Sequence, residues 1–273
     1  MNSGTPFVYH VRGAFTDRFW QGDHRVTGLL LVLCATLFAT QVYGANVVNK
    51  NGITLQATRM VYPEQAKNGI TFTVTNNTAQ PYLLQSRVIP WMAEPTNTAL
   101  AQQVHQDTRG GPFIVLPPLK RFEPAEALTL RIQLTRNTLP TDRESVFVLS
   151  LKAIPGQSSS AETPRLVLAM QNDLKLFYRP KDLPEYSAVQ LAQQLRFQRQ
   201  GSSLKVINPT PYYMTFHLLS VGGRAVDAGA SLLLVSPFGE QAYPLPTSDQ
   251  GEITWQLIDG MGDVTPVQRR TLK

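Results

Sequence analysis

The sequence predicts an all-β protein with two β-sandwich domains. Its 273 residues are enough for two domains of ordinary size. Only 16% of them are charged, and 18 Gly with 20 Pro supply frequent turns, so the composition favours strands over helices. From residue 52 to the end, short segments alternate apolar and polar residues, as half-buried antiparallel strands do.

The first domain is predicted to be an immunoglobulin-like sandwich. Ile70, Phe72 and Val74 alternate with threonines before the Asn76-Asn77 turn, and other segments repeat this pattern. About seven strands in roughly 125 residues is the density of such a sandwich. The predicted strands are 53–62, 70–75, 82–90, 113–116, 128–134, 145–153 and 166–178.

A second, smaller sandwich is predicted after a proline-rich interruption. Pro180 and Pro184 break the strand pattern, so 179–195 is interpreted as a hinge between domains 45–178 and 179–273. Within it, 187–195 can form one or two helical turns. The predicted strands of the second domain are 203–207, 212–221, 231–235, 253–258 and 267–272.

The N-terminal 44 residues are predicted to be a secretory signal peptide. Arg25 precedes the apolar run VTGLLLVLCATLFATQVYGA, which ends in the small residues Gly44 and Ala45. The alternative is a membrane anchor, since about 20 apolar residues can span a bilayer, but Thr, Gln and Tyr dilute the last third. Cys34 lies inside this run and is the only cysteine, so the mature chain is expected to have no disulfide.

Neither catalysis nor nucleic-acid binding is indicated. The formal net charge of +6 is not concentrated in any Lys/Arg block. His105 and His217 are the only histidines beyond the leader and fall in different predicted domains, so no metal site is expected. No phosphate-binding glycine loop, G-x-S-x-G elbow or H-E-x-x-H helix occurs. An exported hydrolase would need clustered titratable groups, which the sequence lacks.

Eight segments, taken in order along the chain, resemble the periplasmic chaperones of pilus (fimbrial) assembly by the chaperone–usher route. They are 57–63 (ATRMVYP), 74–77 (VTNN), 82–86 (YLLQS), 113–119 (FIVLPPL), 139–145 (LPTDRES), 152–155 (KAIP), 175–180 (KLFYRP) and 208–213 (NPTPYY).

The resemblance implies two immunoglobulin-like domains set at an angle around a cleft. In that family the chaperone binds pilus subunits in the periplasm, lends an edge strand to the incomplete subunit sandwich, and delivers the subunit to an outer-membrane usher. Neither ATP nor a cofactor is implied. The short 154–175 connection resembles the subclass that serves rod-like pili. An exported two-domain adhesion or structural module is the alternative function.

The resemblance also implies particular site residues. Arg59 and Lys175 match the two basic residues that anchor the subunit's terminal carboxylate. The donor strand would be 164–175, with Leu166, Leu168 and Met170 as its apolar knobs. From the residues alone, apolar side chains on both faces suit a donated strand and a central strand equally well. An empty donor strand is also an aggregation hazard, so weak self-association is expected.

The resemblance also implies a network of charged side chains between the two domains. Glu144 and Arg179 match two members of the family's network, but Asp259-Gly260-Met261-Gly262 stands where the family usually has Asn-Asp-Tyr-Gly. The usual acidic position is therefore Gly260. Either Asp259 takes the place of the family's acid, or the network is incomplete and the angle between the two domains is less rigidly held.

Overall fold

The computed structural model describes residues 52–91, 111–156, 168–226, 234–245 and 251–272, all within one compact unit, Lys50–Lys273. These residues form seventeen strands and one helix, so the all-β prediction is confirmed. None of the helical structure in these ranges is long and apolar enough to cross a membrane. The predicted signal peptide, 1–44, and His105 lie outside the described residues.

The first domain is a sandwich of two sheets. Its strands are β1 (Ile53–Leu55), β2 (Arg59–Pro63), β3 (Ile70–Asn76), β4 (Tyr82–Pro90), β5 (Phe113–Leu116), β6 (Leu119–Phe122), β7 (Ala127–Leu134), β8 (Ser145–Pro155) and β9 (Met170–Arg179). One sheet has the order β1-β3-β7-β5 and the other β2-β9-β8-β4-β6. Every strand pair in it is antiparallel except β2 with β9, which is parallel.

Alternation along the strands builds the core between these sheets. In β7, Leu128, Leu130 and Ile132 are buried while Thr129 and Arg131 are exposed, as predicted from the period of two. The same rule buries one face of β3. The core of the first domain therefore forms between the apolar faces of these strands, as the alternation in the sequence predicts.

The single strand predicted for 53–62 is wrong. The chain pairs with β3 in one sheet through Ile53–Leu55, passes through 56–58, and pairs with β9 in the other sheet through Arg59–Pro63. Alternation shows which residues face inward, but it does not show which strand lies alongside, because pairing partners are distant in sequence.

The second domain contains the helix and eight strands. The elements are α1 (Ala188–Gln194), β10 (Arg196–Gln200), β11 (Ser203–Ile207), β12 (Met214–Val221), β13 (Arg224–Ala225), β14 (Leu234–Val235), β15 (Glu240–Pro244), β16 (Glu252–Leu257) and β17 (Gln268–Thr271). One sheet has the order β10-β11-β15, and the other has the order β13-β12-β16-β17 with β14 also paired to β12.

Helix α1 packs on the core of the second domain. The helix begins in a capping box in which Gln190 N donates to Ser187 Oγ and Ser187 N donates to Gln190 Oε1. The indole Nε1 of Trp255 donates to the carbonyl of Ala192 at 3.0 Å, and both residues are buried. The helical half of the predicted 179–195 hinge is thus bound to the second sandwich.

Each domain has a fully buried asparagine that organises a turn. Asn76 and Asn208 each accept from the backbone N–H and the hydroxyl of the threonine two residues later, Thr78 and Thr210. Each side-chain amide also donates to three backbone carbonyls. These carbonyls belong to Gln80, Phe122 and Glu123 in the first domain and to Tyr212, Val235 and Ser236 in the second.

Asn76→Ala should lower the free energy of unfolding by about 2–4 kcal/mol. The buried carbonyl of Phe122 loses its donor at roughly 1–3 kcal/mol, and the partly buried carbonyls of Gln80 and Glu123 lose less because water can replace the amide. Urea unfolding of the mature chain measures this change. The control is Asn77→Ala, since Asn77 is the exposed neighbour and, among the described residues, its side chain donates only to Thr54 Oγ1, while its backbone bond to Gly52 is retained. Equal losses in both variants would show that the buried amide has no special role.

Candidate functional site

The parallel pairing of β2 with β9 brings two cations side by side. In the register of this ladder Arg59 lies opposite Lys175, although the two are far apart in sequence. Neighbouring strands are about 4.8 Å apart, and residues at the same level present their side chains on the same face. The structure therefore brings together the two predicted carboxylate-binding residues.

Arg59 is buried, with 7% of its surface exposed. Its Nη1 donates to the carbonyl oxygens of Ile258 at 3.0 Å and Asp259 at 3.2 Å. The guanidinium also lies over the ring of Phe177, 5.5 Å from the centroid. Burial lowers the pKa of Arg59, and the negative charges of Asp259 and Glu144 oppose that effect.

Lys175 is half-buried beside this guanidinium. Burial lowers the pKa of Lys175, and the positive charge of Arg59 lowers it further. Its ammonium lies 5.2 Å from the ring centroid of Trp91. Within the described ranges no carboxylate forms an ion pair with either cation. Two partly desolvated cations without a paired anion form a site that attracts one.

Glu144 and Arg179 form an ion pair at the contact between the domains. Arg179 approaches Glu144 Oε1 through Nε at 2.9 Å and Nη2 at 2.8 Å. The second oxygen, Oε2, accepts from the backbone N–H of Tyr213 in the second domain at 2.9 Å. Burial raises the pKa of Glu144, opposed by the charge of Arg179 and the Tyr213 N–H. The guanidinium of Arg179 also lies over the ring of Tyr212, at 5.0 Å.

Asp259 contributes differently from these two residues. Its carboxylate Oδ1 accepts from the backbone N–H groups of Met261 and Asp263, both at 2.9 Å, so the side chain closes its own loop. It reaches the cluster through its backbone carbonyl on Arg59 and through its charge. No side-chain bond joins it to Arg179 in the part of the chain that the structure describes.

Gly260 fits tightly where the family's usual acid would stand. A Cβ placed on Gly260 would lie 3.6 Å from Nη2 of Arg179 and 3.0 Å from Cγ2 of Val61. The first distance shows that an acid at 260 would be within reach of Arg179. The second shows that the present packing against Val61 leaves no room for a side chain without a shift.

Arg59, Glu144, Arg179 and Asp259 border an open cleft of about 810 Å³ lined by both domains, whereas Lys175 is not among its lining residues. Arg59, Val61 and Phe177 line it from the first domain, and Tyr213 and Met261 line it from the second. In the described segments no group of three or more His, Cys, Asp or Glu could hold a metal ion. His217 is exposed on β12 and is not among the residues of the cleft.

The N-terminal half of β9 has an open edge. β8 pairs with β9 from Met170 to Tyr178, whereas β2 covers only Lys175–Arg179 on the other side. Among the described strands none pairs with the second edge of 170–174. The second half of β9 is therefore a central strand, and its first half is an edge strand. The sequence allowed either a central strand or a donated edge strand, and each of these interpretations fits one half of β9.

The predicted apolar knobs lie at or before this edge. Leu168 is 68% exposed and Met170 is 43% exposed. Leu166 lies outside the described residues. Two large apolar side chains held in solvent beside unpaired strand edges are the feature expected of a surface that another chain covers.

Sequence reasoning missed the aromatic residues of the site. Phe177 lies two residues after Lys175 and two before Arg179. Because side chains alternate between the two faces of a strand, the sequence could have placed Phe177 on the same face as Lys175 and Arg179, between them. Trp91 gives no such signal, because its proximity to Lys175 depends on the pairing of β4, β8 and β9.

Comparison with known proteins identifies the family. Residues 52–184 match "Pili and flagellar-assembly chaperone, PapD N-terminal domain", and residues 190–269 match "Pili assembly chaperone PapD, C-terminal domain". Together the two matches span most of the chain. The chain belongs to the pili assembly chaperone family, as its resemblance to that family predicts.

Individual relatives agree with this assignment. The chain is 39% identical over 218 residues to the chaperone protein FimC of Escherichia coli O6:H1, covering 79% of this chain and 82% of the relative. It is similar to the SafB chaperone, solved with the Salmonella enterica SafA pilin, with 32% identity, a TM-score of 0.68, and coverage of 81% of this chain and 97% of that one. The periplasmic chaperone SfaE matches with 30% identity, a TM-score of 0.62, and coverage of 80% and 98%.

Glu144→Ala should lower the free energy of unfolding by about 2 kcal/mol. The loss is below the roughly 3–5 kcal/mol of a fully buried pair, because the side chain of Arg179 is 37% exposed and water rehydrates it in part. Unfolding followed by fluorescence in the Trp255→Phe and Trp91→Phe backgrounds, which leave one tryptophan in the first and in the second domain respectively, reports on each domain separately, and the two transitions should separate in this variant.

The control for this variant is Asp142→Ala, which removes an exposed ion pair with Arg143. Such a pair contributes about 0–1 kcal/mol. If Glu144→Ala were no more destabilising than Asp142→Ala, and both tryptophans still reported one transition, the ion pair would not hold the domains together.

Proposed function

We propose that this chain is a periplasmic chaperone that binds pilus subunits through strand addition and through their C-terminal carboxylate, then delivers them to an outer-membrane usher. The observation that carries the proposal is the pair Arg59 and Lys175, which has no paired carboxylate among the described residues and adjoins the open edge of β9.

The carboxylate is the first element of recognition. A terminal carboxylate between Arg59 and Lys175 would relieve the repulsion between the cations and accept charge-assisted hydrogen bonds of roughly 1.5–3 kcal/mol each. Because the anchor lies where β9 changes from edge to central strand, binding there also sets the register of an incoming strand. A one-residue slip would turn every side chain to the wrong face.

Strand addition is the second element. A subunit strand that pairs with the free edge at 170–174 gains main-chain hydrogen bonds, while Leu168 and Met170 supply apolar surface for the subunit core. Leu166 would extend the same face. The folding free energy of the complex is the driving force, so neither ATP nor a cofactor is required and the chain acts as a binding protein, not an enzyme.

The domain contact is the third element. The Glu144–Arg179 ion pair and the bond from Tyr213 N–H to Glu144 would set the position of the second domain across the cleft, and Asp259 would contribute through its backbone carbonyl on Arg59. We retain 45–178 and 179–273 as the two domains, with 179–195 as the connection between them. The exposed side of the cleft would receive the body of the subunit.

Export completes the proposal. Cleavage of the 1–44 leader would release the chain into the periplasm, the compartment in which the related chaperone SfaE is described. Without a subunit, the open edge would cause weak self-association. An exported adhesion module is the second candidate, but it gives no reason for two adjacent unpaired cations beside an open strand edge.

Lys175→Ala and Arg59→Ala should abolish recovery of a one-to-one complex with a pilus subunit encoded at the same locus. Truncating one partner of a buried charge pair costs about 2–5 kcal/mol, or about 30-fold to several thousand-fold in affinity. Periplasmic co-purification tests this. The control is Lys152→Ala, an exposed lysine on β8 of the same sheet. Equal recovery of all variants would favour the adhesion module.

Leu168→Asp and Met170→Asp should weaken subunit capture without unfolding the chain, because both side chains are exposed and gain their apolar contacts only in the complex. They should also abolish concentration-dependent self-association in sedimentation velocity. Thr129→Asp, on the exposed face of β7 in the other sheet, is the matched control. Unchanged capture by both knob variants would exclude 164–175 as the donor strand.

A further inference from the structure

Arg59 belongs to the first domain but is held by the second. Both hydrogen bonds from its Nη1 go to carbonyl oxygens at the end of β16, those of Ile258 and Asp259, about 200 residues further along the chain. A guanidinium has five donors in a rigid plane, so fixing one nitrogen at two points fixes the direction of the others. The second domain therefore orients this guanidinium.

The remaining donors of Arg59 are available to a ligand. Its Nε and Nη2 have no hydrogen-bond partner among the described residues. The two nearby acids are otherwise engaged, since Glu144 binds Arg179 and the Tyr213 N–H, while Asp259 accepts from its own loop. Backbone carbonyls satisfy hydrogen bonds but leave the positive charge uncancelled, so a carboxylate remains the complementary partner.

The loop that presents these carbonyls is built around the Asp259 side chain. Oδ1 of Asp259 accepts two backbone N–H groups, its own N–H donates to the carbonyl of Asp263 at 2.8 Å, and its carbonyl accepts from Gly262 at 3.2 Å. A bridge between Ile258 and Val264 closes the loop. Removing Oδ1 would release two N–H groups at once and free the carbonyls that hold Arg59.

We propose that the 258–263 loop is a positioning element for the carboxylate site and that Asp259 is its positioning residue. The loop orients Arg59 before a subunit arrives, so capture of the carboxylate depends on the contact between the domains. This inference rests on the proposed function, because it concerns the same carboxylate. It assigns to Asp259 a role in loop geometry through Oδ1, where a member of a charge network would act through its charge.

Three substitutions separate geometry from charge. Asp259→Ala removes both the acceptor and the charge. Asp259→Asn removes the charge but keeps a side-chain oxygen that accepts from the same N–H groups. Asp263→Ala removes a neighbouring charge from the same loop while leaving its backbone N–H and carbonyl in place, and its side chain is exposed.

The measurement is the affinity of the mature protein for a synthetic peptide of the last ~15 residues of a subunit from the same locus, a length chosen to exceed one strand. The peptide is made with a free C-terminal carboxylate and with a C-terminal amide. The ratio of the two affinities isolates carboxylate recognition from strand pairing. Asp259→Ala should reduce this ratio about tenfold, the size of one charge-assisted hydrogen bond. Asp259→Asn and Asp263→Ala should stay within about twofold of the wild type.

A second, independent perturbation guards against local unfolding. Gly262 has φ +98°, and a Cβ there would lie 3.2 Å from Thr58 Oγ1, so Gly262→Ala displaces the loop while keeping Asp259. It should lower the ratio in the same direction. The guanidinium NMR signals of Arg59 should shift in both Asp259→Ala and Gly262→Ala, with those of Arg131, exposed on β7 in the other sheet, as the internal reference.

The outcomes distinguish this inference from the proposed function. If the wild type binds acid and amide peptides equally, carboxylate recognition itself is refuted. If Lys175→Ala abolishes the preference but Asp259→Ala and Gly262→Ala leave it unchanged, only the positioning role fails. An equal loss in Asp259→Asn or Asp263→Ala would assign the effect to charge and overturn the role of loop geometry.

Discussion

The parallel pairing of β2 with β9 is the constraint on which the rest of the structure depends. It is the one parallel ladder of the described first domain, and it alone places Arg59 beside Lys175. Because β2 covers only the second half of β9, the same ladder also leaves the first half open. The short strand β2 therefore creates both the anion site and the free edge next to it. The position of the anion site along β9 is fixed relative to the free edge.

The buried charged side chains near this ladder have different roles. Glu144 is used by Arg179 and by the backbone of the second domain, so it fixes the domain contact and leaves the two cations of the site unpaired. Arg59 is oriented by carbonyls, which satisfy its donors without neutralising it. An uncancelled charge that is partly desolvated has a free-energy cost to the empty protein, and a bound carboxylate reduces that cost. Such a site favours the bound state.

The packing of the loop at 258–263 fits the glycine that stands where the sequence resemblance predicts an acid. A Cβ on Gly260 would lie 3.0 Å from Val61 Cγ2 and 3.6 Å from Arg179 Nη2, so the present packing suits glycine at this position. The contact between the domains is thus made by packing and by carbonyls on Arg59, with the Glu144 ion pair beside them. Asp259 supplies an acidic group to the loop, and its Oδ1 closes the loop itself.

The sequence by itself determined the all-β class, the buried faces and several strand bounds, such as β4 at Tyr82–Pro90, because alternation is a local property of a half-buried strand. It did not reveal β6 or β15, whose side chains are mostly exposed, nor the division of 53–62 between two sheets. The basic site residues were identified through the resemblance to the family. The alternation of side chains along a strand would also have placed Phe177 on the same face as Lys175. Only the tertiary structure decided that Arg59 is held by Ile258 and Asp259, and that Lys175 lies under Trp91. These contacts join residues far apart in the chain, and no local pattern encodes which distant strand ends will meet.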